Sequence, residues 1–451
     1  MPEKFEKIYK LQNVENPQFP KSHEEIVALV TSTEVQKAIL SAQERYLPWI
    51  EFREKSWVPG NKEHVWALIR IQRQANNRLT PILDKTINYY KFNPNSYSQF
   101  LHEVDLELGG AMIGISDFSE GDKRQIIRRN LIEESISSSK LEGANTSRDA
   151  ARRMLNEGRK PKDKDERMIA NNHAVMRRIE EETKSEPLSI ELLRDLHKQV
   201  TQGTLSDPKH EGEFRQTLDE NGQRLKIMPW DETTVTYVVP DREFVDAQLN
   251  ELIKFANDKD DSGFIHPLFK AIMLHFWIGL LRPFEDGNGR LARILFYWYV
   301  LRKGYWAFSY LSLSEKILKS PKQYAMAYIY SEQDDLDLNY FIHYNVSKLK
   351  LARDDLQKYL KEKIAENRQT LKIIQSGHNF NQRQLKLLQF LSKDEQRSTT
   401  VSAYHNINGD VGAVTVASDL KKLVEGEFLT KHKTGRNVFY FPTPKVRALF
   451  K

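Results

Sequence analysis

The twelve residues from Arg282 to Arg293 bring together the residue types that bind phosphate. They read RPFEDGNGRLAR and contain acidic residues, a Gly-Asn-Gly turn and three arginines. Apolar stretches flank the run at 271–281 and 294–300, so the glycines fall at a break between two buried helical segments. The backbone amides at the start of a helix can point at an anion, and its dipole favours negative charge there. Arg290 and Arg293 are three residues apart and share one helical face, so the run predicts a site for phosphate and a metal.

This run resembles the signature of the Fic (Fido) family, His-x-Phe-x-(Asp/Glu)-Gly-Asn-Gly-(Arg/Lys)-x-x-Arg. Members of that family mostly transfer AMP from ATP to hydroxyl side chains of proteins. Seven of the eight constrained positions match this sequence, and the eighth is Arg282. In the family that position is the His that takes the proton from the target hydroxyl. A guanidinium stays protonated at any working pH, so Arg282 cannot act as a general base.

The resemblance implies a role for each matching residue. Asp286 would hold Mg²⁺ against the α and β phosphates of ATP, and Asn288 with the neighbouring amides would cradle those phosphates. The arginines would neutralise charge on the leaving pyrophosphate. The catalytic positions are then Arg282, Asp286, Asn288 and Arg290. The nucleotide-binding positions are Gly287, Asn288, Gly289, Arg290, Arg293 and Ser331, and the metal ligand is Asp286.

An upstream segment resembles the inhibitory motif of autoinhibited Fic proteins, (Ser/Thr)-x-x-x-Glu-(Gly/Asn). The helical pattern of residues 126–141 ends in Ser138-Ser139-Lys140-Leu141-Glu142-Gly143. Ser138 and Glu142 are four residues apart and fall on one helical face. By itself such a string is often only a solvated helix end. The resemblance implies that Ser138, Glu142 and Gly143 form an inhibitory element whose glutamate pairs with Arg293 and blocks the γ-phosphate of ATP.

The clearest non-helical stretch lies between residues 203 and 241, where the sequence alternates and carries turn signals. Its position matches the β-hairpin flap of Fic proteins, which holds the target backbone as an added strand. Four residues are expected to contact the target: Leu225, Lys226, Ile227 and Tyr237. A surface hairpin with no role is the alternative.

A helix predicted over 321–333 carries Tyr324, Tyr328 and Ser331. In the family the corresponding helix closes over adenine and ribose, although aromatic residues at this spacing are more often core. His266 and His275 are nine residues apart with no paired carboxylate nearby, so neither is expected to bind a metal.

Composition narrows the class of protein. The chain has 451 residues, no cysteine and a net charge of +6 from 68 basic and 62 acidic residues. Disulfides and thiolate zinc sites are therefore excluded, and the charge is mixed rather than polycationic. The opening residues lack the apolar segment of a signal peptide, and the longest apolar run is too short to span a membrane. A cytoplasmic protein without membrane contact is expected.

The predicted fold is mainly α, a Fido-type helical bundle with a β-hairpin flap and a C-terminal winged helix. We expect an N-terminal helical extension at 1–105, with a helix over 64–78, and a Fic core with the inhibitory helix at 106–368. A long helix is predicted over 338–367. The winged helix is expected at 369–451, from helices over 381–391 and 414–426 and two strands between 428 and 441.

Three functions remain open from the sequence. The first is Fic-type AMPylation of a protein target, strongly impaired by Arg282, with ATP as substrate and Mg²⁺ as cofactor. The second is an ATP-binding pseudoenzyme that regulates through DNA or protein contacts of its winged helix, where Lys421 and Lys422 favour DNA slightly. The third is removal of AMP from a modified protein with Glu142 activating water. A homo-oligomer is compatible with all three.

Overall fold

The structure of the chain is a computed structural model, and its contacts divide the chain into two compact units. The units are Met1–Leu356 and Gln357–Lys451. The predicted boundaries at 105/106 and 368/369 stay predictions. The structure describes residues 7–8, 10–11, 17–110, 118, 120–218, 222–224, 226–227, 234–235, 237–375, 380–392, 397–408, 412–434 and 437–450.

The described residues are mainly helical, which confirms the predicted fold class. The α-helices up to the unit boundary are α1 (His23–Thr31), α2 (Thr33–Glu44), α3 (Trp49–Phe52), α4 (Lys62–Ala75), α5 (Ser98–Val104), α6 (Glu120–Leu141), α7 (Arg148–Glu157), α8 (Lys164–Glu181), α9 (Ile190–Thr201), α10 (Arg242–Ala256), α11 (Pro267–Leu281), α12 (Asn288–Arg302), α13 (Leu313–Leu318), α14 (Pro321–Gln333) and α15 (Asn339–Gln375), which contains the boundary. No helix in the described ranges is both long and apolar enough to cross a membrane.

The strands of the first unit are short and pair two by two. They are β1 (Lys7–Ile8), β2 (Arg78–Leu83), β3 (Tyr89–Phe92), β4 (Lys226–Ile227), β5 (Thr234–Val235) and β6 (Tyr237–Val238). β2 pairs antiparallel with β3, and β1 pairs parallel with β5. β4 pairs antiparallel with β6, with Lys226 opposite Val238 and Ile227 opposite Tyr237. A hairpin is therefore present where the flap was predicted.

Helices α11 and α12 form the centre of the first unit. Both are buried around almost their whole circumference, as expected for helices that are apolar on every face. They pack against each other, and α12 also contacts α6, α8 and α9. The core of this unit therefore holds the two ends of the signature run at fixed positions.

Helix α6 is buried in its second half although its sequence is polar. Its buried residues include a run of serines from Ser137 to Ser139, which are small enough for close helix packing. Glu134 accepts hydrogen bonds from Tyr297 at 3.0 Å and from Ser312 at 3.0 Å, and also from the Ser314 backbone at 2.9 Å. These bonds anchor α6 to α12 and α13, so the end of α6 has a defined place beside α12.

The N-terminal region corrects one prediction. The helix predicted over 64–78 ends at Ala75, with Asn76 as its C-cap, and Arg78 already begins β2. The hairpin β2–β3 was not predicted. Two features of the sequence favour this hairpin. Asn76 and Asn77 favour the end of a helix, and the run Tyr89–Phe92 consists largely of residues that favour strands.

After the end of α15, the described residues of the second unit form three helices, a hairpin and a short final helix. They are α16 (Gln382–Ser392), α17 (Val401–Asn408), α18 (Ala413–Glu425), β7 (Leu429–Thr434), β8 (Asn437–Pro442) and α19 (Pro444–Leu449). Asp419 of α18 is buried and accepts hydrogen bonds from Asn381 at 2.7 Å, Arg383 at 2.9 Å and Tyr404 at 2.8 Å. The predicted helices and strands are present, and α17 is an additional helix. The winged-helix identity of this unit stays a prediction.

Candidate functional site

The loop between α11 and α12 is closed by its own asparagine. The Asn288 amide donates to the Phe284 carbonyl at 2.8 Å, and its oxygen accepts the Phe284 backbone N–H at 3.0 Å. Arg282 ends α11 in the left-handed conformation, with φ of 43°. The Asn288 side chain therefore shapes the loop. The predicted role of Asn288 in holding phosphate stays a prediction.

Two glycines bring other elements close to the start of α12. Gly287 has φ of 81°, and a Cβ there would lie 2.6 Å from the Thr201 methyl of α9. A Cβ at Gly289 would lie 2.2 Å from Oε1 of Glu142. Both positions thus require glycine for reasons of space. The Glu142 carboxylate lies directly against the N-terminus of α12, where the helix favours an anion.

Arg293 connects α12 to the last turn of α6 and to Glu142, the residue that follows it. Its Nε donates to the Ser138 hydroxyl at 2.8 Å, and Nη2 donates to the Ser138 carbonyl at 2.9 Å and to Glu142 at 2.8 Å. The pairing of Glu142 with Arg293 that the resemblance implies is therefore present. Gly143 follows directly and ends the helical turn with φ of 95°.

The charge of Glu142 is maintained although the group is enclosed. Burial raises the pKa of its carboxyl, but the charge and hydrogen bond of Arg293 and the charges of Arg290 and Arg282 outweigh burial and lower that pKa below its ordinary value. Glu142 is therefore ionised at neutral pH, and it supplies the negative charge at a site built from three arginines.

Each of the three arginines has a buried N–H that finds no partner among the described residues. Arg290 donates from Nη1 to the Val200 carbonyl at 2.9 Å, at the end of α9. Among the described residues no acceptor reaches Arg282 Nε, Arg290 Nε or Arg293 Nη1. Buried donors without a partner are costly, and each one needs an explanation. An anionic ligand with several oxygens would satisfy them.

His197 positions the signature loop and was not predicted. Its ring stacks on Phe284 with centroids 3.6 Å apart. Nε2 lies 2.8 Å from the Asp286 carbonyl, and Nδ1 accepts the Gly212 backbone N–H at 3.0 Å. A ring that accepts at Nδ1 and donates at Nε2 is neutral. Burial lowers its pKa to about 4, which agrees with that state.

Arg215 ties the hairpin to the same loop and was also missed. Its backbone N–H donates to the Pro283 carbonyl at 2.9 Å. Its guanidinium donates to the carbonyls of Arg282 at 2.7 Å and Pro240 at 2.9 Å. Both ends of the segment 214–240 are therefore fixed against the signature loop. Leu225, one of the four predicted target contacts, lies outside the described residues.

A cavity of about 450 Å³ opens beside the arginines. Its wall combines Glu142, Arg282, Asn288, Gly289 and Arg293 with Tyr237 of β6, Gly279 of α11 and residues of α14 that include Tyr324, Tyr328 and Glu332. Ser331 is not in this wall. It is buried, and its hydroxyl accepts the Phe341 backbone N–H at 3.2 Å. The predicted contact of Ser331 with a nucleotide stays a prediction.

Asp286 is the one predicted metal ligand. It is exposed, and its Oδ1 accepts the Gly287 backbone N–H at 2.6 Å. Mg²⁺ that arrives with a nucleotide needs only one or two carboxylates, because phosphates and waters supply its other ligands. The site therefore fits Mg²⁺ bound together with phosphate. No group of three or more His, Cys, Asp or Glu residues within the described ranges could hold a metal by itself.

The two histidines of α11 take part in packing. His266 caps the helix by accepting the Leu268 backbone N–H at 3.1 Å. His275 is fully buried, and its Nε2 lies 2.7 Å from the Tyr324 hydroxyl. Burial, followed by the charge of Arg293, lowers its pKa well below the ordinary value. His275 therefore packs against Tyr324, one of the aromatic residues that line the cavity.

Comparison with known proteins places the signature in a family. Residues 187–300 match the model of the Fic/DOC family. The chain is 29% identical over 118 residues to a protein adenylyltransferase fic-1 of Caenorhabditis elegans and 28% identical over 118 residues to that of Caenorhabditis briggsae. The match covers 26% of this chain and 20% of each relative, so the chain spans about a fifth of the length of these relatives. The chain thus contains a Fic-family domain.

Two solved structures of Fic proteins are similar to the chain. Fic-1 of C. elegans (residues 134–508) is similar with a TM-score of 0.50 and 19% identity, over 76% of this chain and 92% of that one. A Fic family protein of Desulfovibrio desulfuricans has a TM-score of 0.49 and 16% identity, over 78% of this chain and 98% of that one. The likeness to the first of these indicates a Fic fold for most of the chain.

Proposed function

We propose that the Fic domain binds ATP with Mg²⁺ and belongs to the type that transfers AMP to a protein hydroxyl, but that transfer is strongly impaired in this chain. One observation carries the nucleotide-binding proposal. Arg282, Arg290 and Arg293 converge on the N-terminus of α12, and each has a buried N–H without a partner among the described residues. A polyphosphate has the charge and the many acceptor oxygens that such a cluster needs.

The chemistry follows from the residues present. In AMP transfer the target oxygen forms a bond to the α phosphorus, the bond from that phosphorus to the bridging oxygen breaks, and pyrophosphate leaves. Arg290, Arg293 and the α12 amides would stabilise the negative charge of the transferring group and of pyrophosphate. Asp286 would hold the Mg²⁺, which supplies further positive charge at the phosphates. The hydroxyl proton needs an acceptor, and a guanidinium at position 282 cannot take it.

Glu142 is proposed as an inhibitory group. Its carboxylate lies against Gly289 and forms an ion pair with Arg293, so it holds the place and the partner that a phosphate would need. A nucleotide would therefore have to displace a paired carboxylate. Removal of AMP by a water that Glu142 activates ranks behind transfer, since this carboxylate is held by Arg293 and Arg282 cannot donate a proton to the leaving group.

The target is proposed to be a protein that adds an extended segment to the hairpin. Tyr237 of β6 faces the cavity, and Arg215 fixes both ends of the hairpin segment to the signature loop. Strand addition reads little sequence but holds a hydroxyl in place. The matching relatives are named protein adenylyltransferases, which agrees with this substrate class.

A four-variant comparison tests the proposal. The chain as it stands, Glu142→Gly, Arg282→His and the double variant are incubated with ATP labelled at the α phosphate, with and without a cell lysate. Arg302→His, at the other end of α12, serves as the matched control. We expect the double variant to label itself or a partner, and the unaltered chain to be slower by about 10²- to 10⁴-fold, the typical effect of losing a general base.

Calorimetry separates binding from transfer. Glu142→Gly is expected to bind Mg·ATP more tightly than the unaltered chain, because it frees Arg293 and the α12 amides. Equal or weaker affinity would contradict the inhibitory role. Comparable AMP transfer by the unaltered chain and the double variant would show that another base exists.

A regulator that acts through the second unit is the second candidate. Lys421 and Lys422 are exposed on α18, on the side opposite its buried residues Val416, Leu420 and Leu423. An exposed basic helix face suits contact with a nucleic acid or an acidic protein surface.

A further inference from the structure

Glu332 lines the same cavity as Arg282 and Arg293, on α14. It follows Tyr324 and Tyr328 at intervals of four residues, so the three side chains share one face of α14, and all three line the cavity. Within the described part of the chain, no hydrogen bond or ion pair is made by the Glu332 carboxyl. A carboxyl group in a binding cavity without a protein partner is available to a ligand.

The geometry of α14 relates this carboxyl to the phosphate end. Tyr324 lies beside His275 and the charge of Arg293. Eight residues separate Tyr324 from Glu332, which corresponds to about 12 Å along the helix axis. A nucleotide with its phosphates at Arg293 and its ribose along Tyr328 would therefore bring the edge of its base to Glu332.

We infer that Glu332 reads the Watson–Crick edge of a purine nucleotide and selects adenine over guanine. This inference rests on the proposed function, because it takes a nucleotide as the ligand of the cavity. It assigns Glu332 as a specificity-determining residue, separate from the arginines that hold the phosphates.

The chemistry of the two bases gives the reason. A neutral carboxyl offers one O–H donor and one carbonyl acceptor, which match N1 and the 6-amino group of adenine. Guanine presents two neighbouring donors there, N1–H and the 2-amino group, and these match an ionised carboxylate that only accepts. The protonation state of one residue would thus determine which purine fits.

The surroundings keep the Glu332 carboxyl neutral at pH 7. Burial raises its pKa to about 8, and the charge of Lys85, on the turn between β2 and β3, lowers it only in part. The other titratable groups near it are Tyr90 of β3 and Tyr237 of β6, which burial keeps neutral, and Arg282, which lines the same cavity. Because burial raises the pKa of both tyrosines well above the ordinary value, neither tyrosine changes charge between about pH 6 and 9.

Nucleotide binding at two pH values tests the inference in the full-length Glu142→Gly chain, which leaves the phosphate site open. Affinities for Mg·ATP and Mg·GTP are measured by calorimetry at about pH 6.5 and pH 8.5, on either side of the Glu332 pKa of about 8. We expect an ATP preference of at least about tenfold at the lower pH that falls at least about threefold at the higher pH. Glu332→Gln should keep the preference at both, because an amide always offers one donor and one acceptor.

The controls make each outcome informative. Glu315→Gln changes a glutamate outside the cavity and should behave as its parent, and melting temperatures verify that Glu332→Ala still folds. An ATP-to-GTP ratio that is unchanged in Glu332→Ala, or that still varies with pH in Glu332→Gln, would overturn this inference alone. Failure of both nucleotides to bind would overturn it together with the proposed function.

Discussion

Arg293 makes three hydrogen bonds to Ser138 and Glu142, and its loss should be costly. Arg293→Met leaves the Glu142 carboxylate without its ion pair and Ser138 without a donor. Removing one partner of a buried pair costs about 3 to 5 kcal/mol, and the Glu142 side chain is 21% exposed, so we expect a loss of about 2 to 3 kcal/mol in the free energy of unfolding. Urea denaturation measures the change.

The double variant Arg293→Met with Glu142→Gln is the control for this substitution, because it completes a double-mutant cycle with the two single variants. Removing the charge together with its partner should restore part of the stability, because no buried ion is then left unpaired. If the losses in the free energy of unfolding of the two single variants simply add up to the loss in the double variant, the two side chains are not coupled. Their contact would then contribute little to stability.

At the scale of elements, His197 connects α9, the start of the hairpin segment and the signature loop. The pKa of this buried ring is about 4 in the fold, below the ordinary value of 6.5. A group whose pKa is depressed in this way binds protons more readily in the unfolded chain. Its contribution to stability is therefore present above about pH 6.5 and is lost as the pH falls toward 4.

Replacing His197 should make the chain less sensitive to acid. Between pH 7 and pH 5 this single ring should account for a loss of about 2 kcal/mol in the free energy of unfolding. His197→Gln removes that dependence although it lowers stability at pH 7, where its stacking and loop contacts are missing. Urea titrations of both proteins at the two pH values give the comparison. An equal acid sensitivity would place the proton uptake at other residues.

The elements also show how three segments far apart in sequence make one site. The α6 end supplies the carboxylate, the start of α12 supplies the amides, and α14 supplies the aromatic wall. Glu134 and Arg215 hold these parts in place through hydrogen bonds to backbone and hydroxyl groups of other elements. Their side chains are buried, so local sequence carries no sign of these long-range contacts.

At the scale of the whole molecule, the second unit poses the remaining functional question. If the exposed lysines of α18 contact DNA, binding should weaken steeply with salt, because each neutralised phosphate releases counterions. Lys421→Glu with Lys422→Glu should reduce affinity at low salt and make the salt dependence shallower. Fluorescence anisotropy with a labelled duplex measures both.

The matched control changes two exposed lysines of the first unit, Lys160 and Lys164, to glutamate, which alters net charge by the same amount. Loss of binding in the α18 variant but not in this control would support a DNA-facing helix. Absence of duplex binding at low salt would instead favour a protein partner for the second unit.

The sequence by itself determined the local elements and the chemistry of the signature. The apolar runs beside Arg282–Arg293 predicted α11 and α12, and the helix of residues 321–333 has the predicted bounds. Helical periodicity and end signals are local, so a short window of residues contains them. The arginine at position 282, where the Fic signature has histidine, could also be identified from the sequence alone, because this comparison needs only the residue type.

The tertiary structure alone decided how distant residues meet. His197 and Asp286 are 89 residues apart, and Arg293 and Glu142 are 151 apart. Packing of the chain buries Ser331 in the core. It pairs the Asn288 side chain with the backbone of its own loop, and it leaves Glu332 facing the cavity. The hairpin β2–β3 also escaped prediction, since strands depend on partners and burial more than on local preference. Whether a buried polar group has a hydrogen-bond partner depends on how the chain packs. The three arginine N–H groups that lack a partner within the described part of the chain could therefore be identified only in the structure.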